Sequence, residues 1–430
     1  MPMLSYGRVR GLLSHRLFRN AASLFIVQMS AYVAPLIVRP YLTRVLSTEH
    51  FGLVAFTTAF NYYFITLVEY GFNLSATRRI AIHRDDPQKV SQIAASVYAA
   101  KFLLTILGFI VMVSVVLATP KLRPNFTLFC IGYLAVLGDL LFPLWLFQGL
   151  EKMENLLWRD VCAKFLSLSL TFAFVHHDGD YLWAAAFQAG SIMVSGLVGL
   201  ISVPFVLPIR PVLPSLPETF TALKEGWPVF LSMASFAVSS ATNIFLLGLW
   251  AGPIDVAYYM VSYSLVVALR ALVDPVKSAI YPHISHMAAR SKQDAIQFLR
   301  RYGLLLTAPF LLGSLVLFVS APLVIRLLYG AKYAPSVPVM RLLAFSPFFL
   351  ALQHNYSTFF MLAFGYEKQW SRIILFMTAL NFAILVPALY LTWPPVAVAS
   401  TGLICDIVVT IITYQFYRVH SVERVPALAV

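Results

Sequence analysis

The sequence predicts an all-α polytopic membrane protein with twelve transmembrane helices, and three observations carry that prediction. The 430-residue chain is 60% apolar, with a mean hydropathy of +0.80. Only 11% of it is charged, less than half of the roughly 25% found in ordinary soluble domains. Its apolar stretches run unbroken past the ~20 residues that a membrane helix needs, where the strands of a barrel would alternate. A soluble core cannot hide this much apolar surface. A soluble enzyme, a disordered chain and a disulfide scaffold are thereby excluded. Cys130, Cys162 and Cys405 all fall inside apolar runs and read as small hydrophobes.

The first span, 20–43, follows a tail carrying Arg8, Arg10, Arg16 and Arg19 and ends without a small-residue cleavage site. It reads as a retained helix rather than a signal peptide. Pro35 and Arg39-Pro40 break it near a charge, which predicts that it lines a cavity. Spans 51–77 and 90–118 follow, the latter closed by Thr119-Pro120, then 125–149 and 160–176, which meets a turn at His177-Asp178-Gly179-Asp180. The sixth is 181–208. A proline-rich stretch, 209–224, precedes 225–250, which Gly252-Pro253 ends. The last five are 256–285, 302–325, 336–362, 373–393, closed by Trp393-Pro394-Pro395, and 396–417. No loop is long enough to hold a soluble domain.

Charge sets the orientation. With the N-terminus inside, the inner segments hold 20 Lys and Arg, the outer loops hold 5 and the spans hold 6. That asymmetry places both termini in the cytoplasm. The 209–224 stretch becomes a cytoplasmic linker between an N-terminal bundle, 1–208, and a C-terminal bundle, 225–430. Six helices is an even number, so the two bundles run the same way and are parallel pseudo-symmetric halves. Sliding 20–80 by 205 positions lays Leu67-Val68-Glu69 on Leu272-Val273-Asp274.

An ionised side chain at the bilayer centre costs roughly 2.5–3.5 kcal/mol and is kept where it pairs or meets water. The intramembrane set is Arg39, Glu69, Lys101, Asp139, Arg270, Asp274, Lys277 and Asp406. Asp160, Lys164, Glu225 and Arg341 lie near span ends and are expected to snorkel. In the eighth span Arg270, Asp274 and Lys277 are spaced i, i+4, i+7 and share a face, with Pro275 and Pro282 bending the helix. One acid against two cations predicts a net positive, hydrated wall; an interhelical ion ladder is the other reading. Asp139 and Asp406 are isolated acids suited to an ion relay. Glu69 and Asp274 suit salt bridges that rearrange during gating. Gln28, Asn61, Asn73 and Asn243 add polar groups that also serve as interhelical glue. The His176–Asp180 turn is a weak metal motif. Nucleotide-binding, zinc-protease and hydrolase motifs are missing, so no cofactor, metal or covalent chemistry is expected.

Residues 23–56, the stretch VEYGFNLSATRRIAIHRDD (68–86), FPLWLFQGLEKMEN (142–155) and RLLYGAKYAPSVPVMRLLAFSPFF (326–349) carry a resemblance. The chain resembles the Wzx-type flippases of the bacterial polysaccharide transport family, within the superfamily that includes the MATE exporters. Two departures stand out: Ser47 where the family usually has Gly, and Glu69 where Asp is usual. The resemblance implies two six-helix bundles in a V and alternating access in the inner membrane. The implied cargo is an undecaprenyl-pyrophosphate-linked oligosaccharide, driven by H+ or Na+. Arg39, Arg270 and Lys277 would then hold the pyrophosphate by charge-assisted bonds, with Arg78 capturing it at the inner mouth. Membrane lipids, a polysaccharide polymerase and chain-length regulators are the expected partners, and nucleic acid is not. A cation-coupled small-molecule exporter of the MATE kind is the rival reading and predicts an acidic cavity. A membrane glycosyltransferase would need larger outer loops, and a plain anchor would leave the mid-membrane charges without purpose.

Overall fold

A computed structural model describes residues 33–206, 209 and 211–422. The N-terminal tail, residues 20–32 of the first span with Gln28, Pro208 and Arg210, and residues 423–430 lie outside them. Among the described residues all regular structure is helical, and nine helical stretches are long and apolar enough to cross a membrane. They overlap nine of the expected spans, and 336–362 coincides with its expected limits. Helix α1 covers 33–45, the described part of the first span. The fifth and seventh spans fall on α8 (Glu154–Phe174) and α10 (Leu216–Ala251).

Helix ends follow local chemistry. Ser47 caps α2 (Thr48–Glu69) by accepting from the His50 N–H. Asp86 caps α4 (Pro87–Ala118) through the Gln88 and Lys89 N–H groups, and Pro87 fills the first turn, where no N–H is needed. The outer faces are apolar. Phe102, Leu103, Ile106, Leu107 and Ile110 of α4 are exposed at helical spacing. A patch of that kind belongs against lipid rather than water.

Four spans are interrupted. The second splits into α2 and α3 (Phe72–Ile82), because Tyr70 (φ 46) and Gly71 (φ 74) are both left-handed. A Cβ on Gly71 would lie 2.5 Å from Val229 Cγ1, so glycine is needed there on two counts. The fourth becomes α5 (Phe126–Gly132), α6 (Leu134–Leu141) and α7 (Leu144–Gly149), with Pro143 at the second break. The eighth divides into α11 (Pro253–Ala271) and α12 (Val273–Arg290). Pro275 has no N–H to offer the Ala271 carbonyl, and the ladder stops there. After α13 (Lys292–Leu328), the tenth span breaks into α14 (Ser336–Leu343) and α15 (Ser346–Tyr356), continued by a π-helix, Ser357–Leu362. The unbroken α16 (Glu367–Leu391) and α17 (Pro394–Val422) close the chain.

Contacts divide the described chain into two units. The first holds 33–38, 45–50 and 54–245. There α9 (Tyr181–Val206) packs on α6 and α8, while α3 packs on α4 and α7. Its core gathers Phe72, Ile80, Ile93, Trp145 and Phe147. The 142–155 motif is part of that core. Trp145 is fully buried and its carbonyl accepts from Thr77 Oγ1 at 3.0 Å, tying α7 to α3. The second unit holds 39–44, 51–53 and 246–422. In it α17 packs on α14, α15 and α16, and α13 packs on α15. Phe359, Phe360, Met361, Ile284 and Tyr417 form its main core.

Candidate functional site

In the second unit the charges collect where spans are interrupted. Arg270 stands in the last turn of α11, just before the break. Its Nη1 donates to Ser346 Oγ at 3.0 Å and lies 3.9 Å from Asp406 Oδ2 of α17. Ser346, the first residue of α15, donates a short hydrogen bond to the same Asp406 oxygen. Helix breaks on α11 and α15 thus aim polar groups at one acid in the middle of an unbroken helix. Beyond the break, Lys277 Nζ lies 2.6 Å from Asp274 Oδ1. His354 of α15 feels the charges of Lys277, Asp274 and Arg270 together, and its ring lies 2.9 Å from Thr358 Oγ1.

Arg39 of α1 is half-buried and lies within electrostatic reach of the Tyr329 and Tyr263 hydroxyls. Tyr329 pairs with Ser264 at 3.0 Å. Tyr263 stacks on Tyr259 at 5.4 Å, and Tyr259 in turn feels Arg270 and Asp406. Tyr259, Ser264 and Tyr329 are buried, so these hydroxyls are packed between helices. Among the described residues no carboxylate pairs with Arg39. The sequence expectation of a positive face on the eighth span is accordingly redistributed. Asp274 answers Lys277 and Asp406 answers Arg270 from another helix, so the surplus rests on Arg39.

The first unit holds a second cluster. Lys101 of α4 is 2% exposed. Its Nζ donates to the Asp139 carbonyl at 2.6 Å and lies 3.2 Å from Asp139 Oδ2. Glu69, beside the α2–α3 break, feels both Asp139 and Lys101, and its Oε1 accepts from Asn73 Nδ2 at 2.5 Å. Asp139 thus pairs with Lys101, and Glu69 lies within electrostatic reach of both. Such a set holds one negative charge too many for the membrane unless a proton or cation joins it.

Arg78 is exposed on α3, while its neighbour Arg79 reaches Glu225 at 3.5 Å. The structure brings Arg270 to Asp406, Lys277 to Asp274 and Lys101 to Asp139, and Arg78 makes no ion pair among the described residues. Asp160 and Lys164 pair at 2.6 Å, and Asp160 also accepts from Ser195, so these two are anchored rather than free to snorkel. The His176–Asp180 motif builds a turn. Asp180 Oδ2 accepts from the His176 and His177 N–H groups, and Asp178 accepts from the Ser47 N–H and lies 2.8 Å from His50 Nδ1. Sequence reasoning missed Ser346, Tyr259, Tyr263, Tyr329 and His354 as site residues. Each looks ordinary along the chain, and only Ser346-Pro347, a helix-start pattern inside a span, signals a polar group at a break.

The chain is similar to proteins of known description. A family profile described as "Polysaccharide biosynthesis protein" matches residues 17–288. An Escherichia coli (strain K12) protein described as "Putative O-antigen transporter" is 31% identical over 403 residues, which is 93% of this chain and 96% of that protein. A Shigella dysenteriae protein of the same description is 29% identical, over 86% of this chain and 93% of its own. Among solved structures, the lipid II flippase MurJ in an inward closed conformation aligns with a TM-score of 0.69 and 12% identity, covering 93% of this chain and 87% of that one. An inward-facing multidrug resistance MATE family transporter of the MOP superfamily aligns at 0.65 with 14% identity, covering 94% and 98%. At these identities the likeness to solved structures is one of fold.

Proposed function

The chain belongs to the polysaccharide biosynthesis protein family, and on that premise we propose that it flips lipid-linked oligosaccharides across a bacterial inner membrane. The cargo class is an undecaprenyl-pyrophosphate-linked repeat unit. The nearly full-length match to described O-antigen transporters supports this class of cargo. The observation that carries the reading at the site is Arg39, a cation within a membrane span that meets no carboxylate among the described residues and belongs to the same unit as Arg270. An anionic pyrophosphate needs fixed cations.

The proposed mechanism is alternating access between a bundle formed by 1–208 and a parallel bundle formed by 225–430, joined by the 209–224 linker. Twelve helices with both termini in the cytoplasm complete the arrangement. Breaks close to Glu69 in the second span and to Asp274 in the eighth support the internal repeat. Arg78 captures the headgroup at the inner mouth. Arg39 and Arg270 hold the pyrophosphate, with Lys277 in support. Asp406 competes with the cargo for Arg270, which gives the site a way to release it. Glu69 and Asp139 around Lys101 take up a proton or sodium ion, and Asp274 exchanges partners during gating. A polymerase and chain-length regulators consume the delivered unit.

Complementation of a flippase-deficient strain, with the surface glycan as readout, tests the assignment. Wild-type chain restores the glycan, and Arg39→Ala and Arg270→Ala do not. Restoration by both variants overturns the cationic site. Proton coupling requires that Glu69→Gln or Asp139→Asn removes dependence on the proton gradient. The acidic cluster of the first unit also suits a cation-coupled exporter of small molecules, and drug efflux without glycan rescue would favour that reading.

A further inference from the structure

The second unit contains a groove that the transport site does not use. It runs between the start of α13, α15 and the end of α17, with a cavity volume of about 750 Å3. That is the size range of sites that enclose small organic ligands, ~300–1,000 Å3. The walls are apolar and aromatic. Leu304 is largely and Tyr414 nearly half exposed on them, and Tyr356 packs on Tyr414 and Tyr417 with ring centroids 5.2 and 5.3 Å apart. Arg300 and Arg418, both exposed, stand on the rim. They come from opposite ends of the sequence of this unit but from the same end of the groove's helices, beside the basic segment that holds Arg290 and Lys292. Among the described residues no carboxylate pairs with either arginine.

Two polar groups in the groove wall are unsatisfied. Asn355 is 4% exposed and its Nδ2 donates to the Gly303 carbonyl at 2.9 Å, yet its Oδ1 has no partner. The hydroxyl of Tyr417, 8% exposed, also lacks one. A buried polar atom without a partner costs about 1–3 kcal/mol, which polar groups of a ligand would offset.

We propose that this groove binds an anionic glycerophospholipid of the surrounding leaflet. Its phosphate sits between Arg300 and Arg418, its glycerol and ester groups satisfy Asn355 and Tyr417, and one acyl chain lies along the aromatic wall. Charge complementarity selects an anionic lipid over a neutral one, because basic pockets between transmembrane helices attract acidic headgroups. The apolar walls select a lipid over a free anion. Thr410 of the groove wall donates to the Asp406 carbonyl at 2.7 Å, so the bound lipid lies one helical turn from the acid that holds Arg270.

The inference is independent of the cargo, so its test reads binding and not flipping. Purified full-length protein in detergent is titrated with dioleoylphosphatidylglycerol, dioleoylphosphatidylcholine or inorganic phosphate, followed by native mass spectrometry and thermal melting. Phosphatidylglycerol is expected to remain bound and raise the melting temperature. The double variant Arg300→Gln, Arg418→Gln is expected to bind it roughly tenfold to thirtyfold more weakly, at ~1 kcal/mol per arginine. Arg300→Lys, Arg418→Lys retains most of the binding, and Arg290→Gln, Lys292→Gln outside the groove leaves it unchanged. Ile411→Trp, which fills the groove without changing charge, weakens retention. The proposal is overturned if phosphatidylcholine binds equally well, if the double glutamine variant binds like wild type while melting cooperatively, or if inorganic phosphate alone gives the same shift.

Discussion

The largely buried pair of Lys101 and Asp139 and Arg39, which meets no carboxylate among the described residues, make opposite predictions. Removing one member of a buried ion pair strands the other charge and costs ~3–5 kcal/mol. Lys101→Met is therefore expected to lower the melting temperature sharply. The double variant Lys101→Met, Asp139→Leu recovers most of it, because an apolar pair of similar volume is tolerated. Equal melting of single and double variants would remove the pair from the list of structural contacts. Arg39 has no carboxylate to strand among the described residues, so Arg39→Met leaves the melting temperature near that of wild type while glycan rescue falls at least tenfold. A third residue lies outside the spans. Lys89 lies 2.7 Å from Glu218, and its ammonium holds the Glu218 carboxyl below its usual range. A lowered folded value gives stability that is complete above the ordinary carboxylate value of 4.5 and is lost as pH falls through the folded value. Glu218→Gln should lower the melting temperature modestly at neutral pH and leave it unchanged below the folded value, so that the acid limb of melting temperature against pH flattens.

Whole elements meet through small residues. A Cβ on Gly138 of α6 would lie 2.4 Å from the Ile192 carbonyl carbon of α9, and one on Gly196 of α9 would lie 2.2 Å from the Gly138 carbonyl oxygen. Two glycines let these helices touch backbone to backbone, as small residues commonly do in membranes. Gly138→Ala and Gly196→Ala are expected to destabilise by ~1–3 kcal/mol or more through overpacking. Gly190→Ala, on the same helix with nothing within 4 Å, serves as the neutral control. Melting of detergent-purified variants reads the difference. The interruptions are the other lesson of this scale. Pro275 announced the break between α11 and α12, since a proline cannot donate to the preceding turn. The break at Tyr70-Gly71 was not legible, because a left-handed tyrosine is set by its packing on Phe72 and Phe230 rather than by its own preference.

At the scale of the whole molecule the prediction is one of topology. Twenty basic residues on one set of loops and tails against five on the other predict that both termini and the 209–224 linker face the cytoplasm. Fluorescent-protein fusions at the C-terminus and within 209–224 should fluoresce, whereas alkaline phosphatase fused after Lys121 should be active. The reverse pattern would invert every assignment of side, including the mouth guarded by Arg78. The nine apolar helices found among the described residues are indifferent to that outcome, because hydropathy sets where a helix crosses and loop charge sets which way.

Composition and hydropathy determined that this is a helical membrane protein and located nine of its spans, with ends that differ from the helices by up to ten residues, because membrane insertion is scored on a local average while helices continue past the apolar stretch. They also picked out Arg39, Glu69, Asp139, Arg270, Asp274, Lys277 and Asp406, since a charge in an apolar run is conspicuous without any partner in view. Only the tertiary structure decided who answers whom. Spacing made Asp274 a neighbour of Arg270 and Lys277 alike, yet it pairs with Lys277, and Arg270 turns to Ser346 and Asp406. Those partners lie 76 and 136 positions away along the chain. Electrostatic compensation depends on distance in space, and packing is what converts one distance into the other.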